Sequence, residues 1–455
     1  MAAPRGLGIY SAIYKVIFNL PSERGHLINV FRNSLDVGDE FHCVVDRLAL
    51  GGDSIASAPD GRIVFFRGAA PGDRVCLRVT QLKKRFIRAV LVSREAGDAA
   101  QDPICNLHDQ CGGCPWQVVQ PAVQREALEA QLNRMLKRTS ATPVLCQPIR
   151  TFEPLVHWRS STRLHWRDGV VGYFKSQSDK LVDIPSCPML APPLPAMLTA
   201  VRTVLGRHLA GQGTMRMTAR NGGASGTVAF TQTAGPKIRL SAFETLLEQP
   251  VIHGITVDQA QRLRSFGAPV DHLGQWSIPH AAGCFVQGHQ RGNHGLVDYV
   301  LESCQGYESI LEFYAGSGNF TIPLAEAGHR VRFVEIDQQA VDTLDQALQH
   351  RQVHGRVSGQ CEPANRVPSG TWDLVLLDPP RSGARQLCEQ LATVTARRLV
   401  YVSCHPPSFA RDAHILNSGR WRLKRVEPFE LFPHTGHVET VALFECDTEF
   451  GGSHR

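Results

Sequence analysis

The chain has 455 residues, 43% of them hydrophobic, a formal net charge of +6 and 13 cysteines. That length accommodates about three domains of ~150 residues, and no run approaches the ~20 consecutive apolar residues that span a bilayer. The cysteines are too sparse and irregular for a disulfide framework, which points to a reducing, cytoplasmic setting, and +6 on such a chain is not by itself a nucleic-acid signature.

Residues 1–36 contain an apolar stretch, Leu7 to Phe18, that Lys15 interrupts and that no small-residue cleavage pattern follows. They read as an N-terminal extension and not as a secretory signal. Residues 37–98 read as a small OB-like β-barrel, because the alternating runs Arg62 to Phe66 and Val75 to Val79 flank the turn Pro71-Gly72-Asp73. The barrel's charge is one-sided: Arg62, Arg67, Arg74, Arg78, Lys83, Lys84, Arg85 and Arg88 face only Asp60 and Asp73 between positions 60 and 88. Clusters of this kind supply phosphate contacts, so RNA is the expected partner.

Residues 99–290 form the expected central domain. Cys105, Cys111 and Cys114 follow a C-x5-C-x2-C spacing in which Gly112 and Gly113 let the sulfurs converge, and Cys187 offers a fourth thiolate. Four thiolates suit either a zinc ion or an iron–sulfur cluster, and spacing alone leaves both open. Val118 to Lys137 places Leu128, Leu132 and Leu136 at helical spacing, a packing face. From Trp158 to about Gln287 the chain reads as β-rich. Its aromatic and basic residues, among them Trp158, Arg159, Arg163, Trp166, Tyr173, Phe174 and Lys175, are either strand core and surface or a set that stacks on and clamps unpaired bases.

Residues 291–455 read as an open α/β domain. Ser309 to Tyr314 is a strand that runs into the turn Ala315-Gly316-Ser317-Gly318-Asn319 and then a helix-like segment. Val331 to Val334 stops at the acid Glu335, suited to ribose hydroxyls. Trp372 to Leu377 ends in Asp378-Pro379-Pro380-Arg381-Ser382-Gly383. Leu399 to Ser403 ends at Cys404, followed by His405-Pro406-Pro407, which cannot prolong a central strand. In such sheets the carboxyl ends of the strands form the ligand crevice, so all four tips converge on one site. Thr321 stands where a dinucleotide fingerprint has its third glycine, which disfavours NAD and favours a fold that wraps S-adenosylmethionine. A buried, inert thiol is the plainer reading of Cys404 taken alone.

Taken together, the Gly-rich loop, the Asp378 to Gly383 loop, the stretch from Tyr401 through Asp412, and Phe432-Pro433-His434-Thr435-Gly436-His437-Val438-Glu439 resemble the RNA uracil-5 methyltransferases, most closely their iron–sulfur branch acting on large-subunit ribosomal RNA. The resemblance implies a class I, Rossmann-like S-adenosylmethionine-dependent methyltransferase domain preceded by a TRAM barrel, whose first hairpin corresponds to Gly51-Gly52-Asp53-Ser54-Ile55-Ala56. It implies Cys404 as nucleophile and Glu439 as general base. It also implies a methyl-donor site made by Gln287, Tyr314, Asn319, Glu335 and Asp378, and a [4Fe-4S] cluster on Cys105, Cys111, Cys114 and Cys187, with zinc as the alternative. Methyl transfer is not redox chemistry, so the cluster is expected to brace a surface that holds RNA.

Uracil C5 is too weak a nucleophile to take a methyl group directly, which is why such a family needs a thiolate to add at C6 and a carboxylate to remove the C5 proton. Ribosomal RNA is the expected substrate and the transfer RNA T-loop the second, acted on by a monomer away from membranes. His434 and His437 either polarise the base or satisfy local backbone groups. The sequence departs from the family pattern at His289 and His405, each where Asn is usual, at Glu312 where Asp is usual, and near Gln360 and Cys361, where a further donor-contacting Asn is missing. An RNA cytosine-5 methyltransferase is disfavoured because the loop from Asp378 to Gly383 has no cysteine, and a noncatalytic cluster-bearing RNA-binding protein is the reading from outside the enzymes.

Overall fold

In the computed structural model, alternation of buried and exposed side chains bends the first strands into a closed barrel of order β1-β2-β3-β5-β4. The strands are β1 (Glu40–Leu48), β2 (Ser54–Ser57), β3 (Ile63–Phe66), β4 (Arg74–Leu82) and β5 (Phe86–Glu95). The structure describes residues 35–447 apart from 140–143, 221–222, 269, 274–275, 277, 393 and 395, so nearly all of the expected N-terminal extension lies outside the described residues. Val45, Val64, Leu77 and Ile87 fill the barrel. Its charge is better balanced than the local sequence suggests. Arg67 and Arg88 both pair with Asp53, at 2.9 and 3.2 Å, and Arg78 pairs with Glu40, because the strand register brings these distant acids alongside.

The helix α1 (Pro121–Leu136) starts at proline, where a missing N–H costs nothing, and buries Gln124, Leu128, Leu132 and Leu136 along one stripe. A seven-stranded sheet of order β12-β11-β10-β9-β6-β7-β8 follows. Its strands are β6 (Ser161–Arg167), β7 (Val170–Phe174), β8 (Leu181–Asp183), β9 (Gln212–Ala219), β10 (Gly226–Ala234), β11 (Ile252–Gln259) and β12 (Arg262–Gly267). Helices α2 (Leu194–Leu205) and α3 (Leu240–Leu247) share one core with this sheet. Trp158 and Trp166 are buried, and Tyr173 packs against the same core, so these three rings serve packing and are not free to clamp bases. A short hairpin, β13 (Val270–Leu273) and β14 (Ile278–Ala281), leads to α4 (Gln290–Cys304).

The last unit is a seven-stranded sheet of order β17-β16-β15-β18-β19-β21-β20. It contains β15 (Ser309–Phe313), β16 (Arg330–Glu335), β17 (Val357–Cys361), β18 (Leu374–Leu377), β19 (Arg398–Ser403), β20 (Trp421–Phe429) and β21 (Glu439–Cys446), interleaved with α5 (Thr321–Glu326), α6 (Gln338–His350), α7 (Arg385–Leu391) and α8 (Pro406–Ser418). The strands from β15 to β19 run parallel, and their apolar runs, such as the fully buried Leu374 to Leu377, are those of a sheet covered on both faces. Only β21 enters antiparallel, between β19 and β20. Among the described residues no helix is long and apolar enough to cross a membrane.

Candidate active site

The antiparallel insertion of β21 builds the centre of the site. Ser403 pairs with Thr440, and the Thr440 hydroxyl donates to the Ser403 carbonyl at 3.2 Å. The next positions outward are Cys404 and Glu439, so strand register sets thiol and carboxyl opposite one another at the carboxyl end of the sheet. Glu439 is 1% exposed and neither carboxyl oxygen has a hydrogen-bond partner among the described residues. Burial, reinforced by the charge of Asp378, pushes Glu439 well above the ordinary carboxylate range. Asp378, at the tip of β18, is raised to about 7 by burial. Cys404 is pushed up to about 12, first by burial and then by Glu439 and Asp378, while Arg381 pulls the other way.

Two histidines around this centre have tautomers fixed by their partners. The Ser408 hydroxyl donates to the Arg381 carbonyl at 2.6 Å, so His405 Nδ1, 2.6 Å from the same hydroxyl, is the donor and His405 Nε2 is left as an acceptor. Arginine can only donate, so His437 Nδ1, 3.5 Å from Arg381 Nη2, accepts and Nε2 carries the proton. Burial and the neighbouring Arg381 lower His437 to about 4, and the same two causes lower His405. The loop after β18 is tied to this machinery by Asp412 of α8, fully buried, which accepts from the Ala384 N–H and the Tyr401 hydroxyl, each at 2.7 Å. Gly383 lies against that carboxylate at φ 75°, and an added Cβ would stand 2.4 Å from Asp412 Oδ2.

The residues expected to hold a methyl donor surround the neighbouring tips. Glu335 ends β16 and accepts from the Gly316, Ile336 and Asp337 N–H groups at 2.8, 2.7 and 2.9 Å, binding the Gly-rich loop to its own strand end. Tyr314 follows β15 in the left-handed region, φ 65°. Asn319 exchanges two side-chain hydrogen bonds with Asn293 of α4, at 2.8 and 3.1 Å, a partner that no local sequence signal marks. Gln287 lies on the segment that enters α4, where the Gly288 carbonyl accepts from the Ser160 N–H at 2.7 Å. Beneath these tips Glu312 is 1% exposed, accepts from the Thr321 hydroxyl at 2.7 Å through one oxygen and leaves the other unpartnered. Burial first, and then Asp378 and Glu335, raise it to about 8.

The four cysteines expected to bind a metal group lie apart from Cys404, on the loop 105–114 and after β8. Burial raises Cys111, Cys114 and Cys187, and the mutual repulsion of the quartet adds to it, while Arg159 opposes it in all three. Backbone N–H groups of Leu107 and Gly113 reach the sulfurs of Cys105 and Cys111, each at 3.4 Å. Gly112 is pressed against the Phe174 carbonyl, where a Cβ would approach to 2.8 Å. Among the described residues, no three His, Cys, Asp or Glu side chains are grouped as around a single metal ion.

A parallel sheet with one antiparallel strand inserted beside its last parallel member, and a site spread over the strand tips, defines a class I methyltransferase fold. The family model for tRNA (uracil-5-)-methyltransferase matches residues 276–357 and 366–446, and that for the TRAM domain matches residues 35–92. The chain is 30% identical over 418 residues to the 23S rRNA (uracil(1939)-C(5))-methyltransferase RlmD of Aeromonas hydrophila, covering 85% of this chain and 92% of that protein. It is 31% identical over 438 residues to the enzyme of the same name from Pseudomonas putida, covering 90% and 94%. Among solved structures, the Pyrococcus abyssi tRNA (uracil-54, C5)-methyltransferase in complex with S-adenosyl-L-homocysteine shares the fold, with TM-score 0.71 at 22% identity over 89% of this chain and 100% of that one. The chain belongs to the RNA uracil-C5 methyltransferase family, and the reading of a noncatalytic RNA-binding protein gives way.

Proposed function

We propose that this enzyme methylates C5 of a uridine in 23S ribosomal RNA, in the cytoplasm, through a covalent bond between Cys404 and C6 of the base. The pairing of Ser403 with Thr440 carries the reading, since it leaves Cys404 and Glu439 as the next positions outward, near enough for the Glu439 charge to act on the thiol. The target base is extruded from its RNA context into the crevice. Cys404, a thiol in the free enzyme, loses its proton to solvent and adds as thiolate to C6, and the C5–C6 π electrons move to the C4 oxygen as an enolate. The enolate electrons return through C5, which bonds to the methyl group as that carbon's bond to the donor sulfur breaks and S-adenosylhomocysteine is left. The Glu439 carboxylate takes the C5 proton, the electrons of that C–H bond re-form the C5–C6 double bond, and the bond from C6 to Cys404 breaks, returning the thiolate.

S-adenosylmethionine, when bound, supplies an electrophilic methyl group on a positively charged sulfur. The residues present fit that charge: Asp378 and Glu335 are close enough to raise Glu312, and one Glu312 oxygen is left without a partner among the described residues. Gln287, Tyr314, Asn319, Glu335 and Asp378 are the side chains that would hold the donor. The four thiols are the side chains that would hold a [4Fe-4S] cluster, with zinc as the alternative, and N–H groups aimed at sulfur suit the charge of metal-bound thiolates. The cluster would brace the loop 105–114.

The test is anaerobically purified enzyme with labelled methyl donor and unmodified 23S rRNA or tRNA, followed by mapping of the modified base. We expect 5-methyluridine at one rRNA position with wild type and none with Cys404→Ala. Label found only in tRNA would move the substrate assignment, and no 5-methyluridine in either RNA would refute the activity.

A further inference from the structure

Gln124 is a buried polar side chain that the reaction scheme leaves unused. It projects from α1, 2% exposed, within the stripe formed with Leu128 and Leu132. Its Nε2 donates to the carbonyls of Trp116 and Val119 at 3.0 and 2.7 Å and lies 3.3 Å from His434 Nδ1, while its Oε1 accepts from the His434 N–H at 3.1 Å. The His434 carbonyl in turn accepts from the Trp116 N–H at 3.0 Å. Both backbone groups of His434 are therefore held by a segment 310 positions earlier. His434 sits at φ 64°, a left-handed conformation that a residue with a side chain keeps only where its surroundings over-determine it.

The residues that follow are gripped on the same side. The Gly51 N–H reaches the Gly436 carbonyl at 3.4 Å, and a Cβ at Gly436 would stand 2.7 Å from the Gly51 and Gly52 nitrogens. Val438 is fully buried in a core formed with Leu48, Trp116, Leu128 and Leu132. Positions 434, 436 and 438 are thus held by the N-terminal units, His437 lies 3.5 Å from Arg381 through Nδ1, and Glu439 neighbours Asp378.

We infer that Gln124 is a positioning residue for the Glu439 carboxyl, fixing the strained turn at His434 from which the segment to Glu439 is aimed. The inference rests on Glu439 acting as the base. Removing the amide leaves Cys404 and the donor site intact, so addition and methyl transfer continue while elimination slows.

The experiment compares Gln124→Met and Glu439→Gln with wild type on unmodified 23S rRNA. Gln124→Met should lose tenfold or more in kcat with the KM for RNA within twofold, and a methylated RNA–protein adduct stable to denaturant should accumulate, as is expected of Glu439→Gln. Gln124→Glu keeps the acceptor for the His434 N–H and should show a smaller loss with the same adduct; it carries the test alone if Gln124→Met does not fold. Turnover within twofold of wild type, or a loss confined to KM without adduct, overturns the inference. If Glu439→Gln traps adduct and the Gln124 variants do not, the positioning role alone falls. If Glu439→Gln eliminates at the wild-type rate, the role of Glu439 falls and that of Gln124 with it.

Discussion

Cys404 in the free enzyme is held as a thiol by its surroundings. Burial and the charges of Glu439 and Asp378 set its pKa at about 12, so the thiolate fraction should rise about tenfold per pH unit through the neutral and mildly alkaline range. Alkylation of the Cys404 peptide by iodoacetamide, followed by mass spectrometry from pH 7 to 9, should keep climbing; a plateau by pH 8 would contradict this electrostatic picture. A positively charged donor analogue should speed alkylation at fixed pH more than neutral S-adenosylhomocysteine, because it offsets the two acids. Glu312 makes a second prediction. Its folded pKa of about 8 lies above the unfolded value, so its contribution to stability is complete below about pH 4.5 and is lost as pH rises through 8. Glu312→Gln should therefore gain thermal stability over wild type progressively between pH 5 and 8, by a few kcal/mol at the alkaline end. Parallel pH–melting curves would refute it.

At the scale of elements, the loop from Asp378 to Ala384 and helix α8 behave as one piece, because Asp412 bonds the loop through Ala384 and the strand that ends at Cys404 through Tyr401. Gly383→Ala combines a strained φ with a 2.4 Å contact to that carboxylate, and should cost about 1 kcal/mol or more in stability and lower kcat tenfold or more. Unchanged kcat at unchanged melting temperature would show that the loop tolerates the shift. The tips themselves were legible: Asp378-Pro379-Pro380 and Cys404-His405-Pro406 each stop an apolar run with residues that cannot extend a strand. Other features were invisible because they depend on register between distant segments. The Asn293–Asn319 exchange, the pairing of Arg67 and Arg88 with Asp53, and the grip of Gln124 on His434 leave no periodicity or local motif. The base-clamping reading of Trp166 fails for a related reason: alternation marks a strand, but only the packing of α2 and α3 decides which of its faces is covered, while Trp158, ahead of the strand, is stacked on His289 at 5.4 Å.

For the whole molecule, ion pairing within the barrel narrows the set of cations available to RNA. Lys83, Lys84 and Arg85 are exposed on the β4–β5 turn and make no ion pair among the described residues. Replacing all three with Ala should weaken RNA binding at low salt and flatten its dependence on log salt concentration by about 2, at ~0.7 per phosphate contact to single-stranded RNA. An unchanged slope would place the RNA path elsewhere.

The 310 positions separating Gln124 from His434 also bear on how the molecule comes into being. Contacts so distant in sequence are closed late, after the units they join have formed. During synthesis α1 and the barrel emerge and fold first, and the socket for His434 and Val438 stands open until the end of the chain arrives. A partly made chain can thus hold its thiol and most of the donor pocket without an aimed base. If Gln124 aims Glu439 as inferred, turnover is expected to begin only once the two ends of the described fold have met.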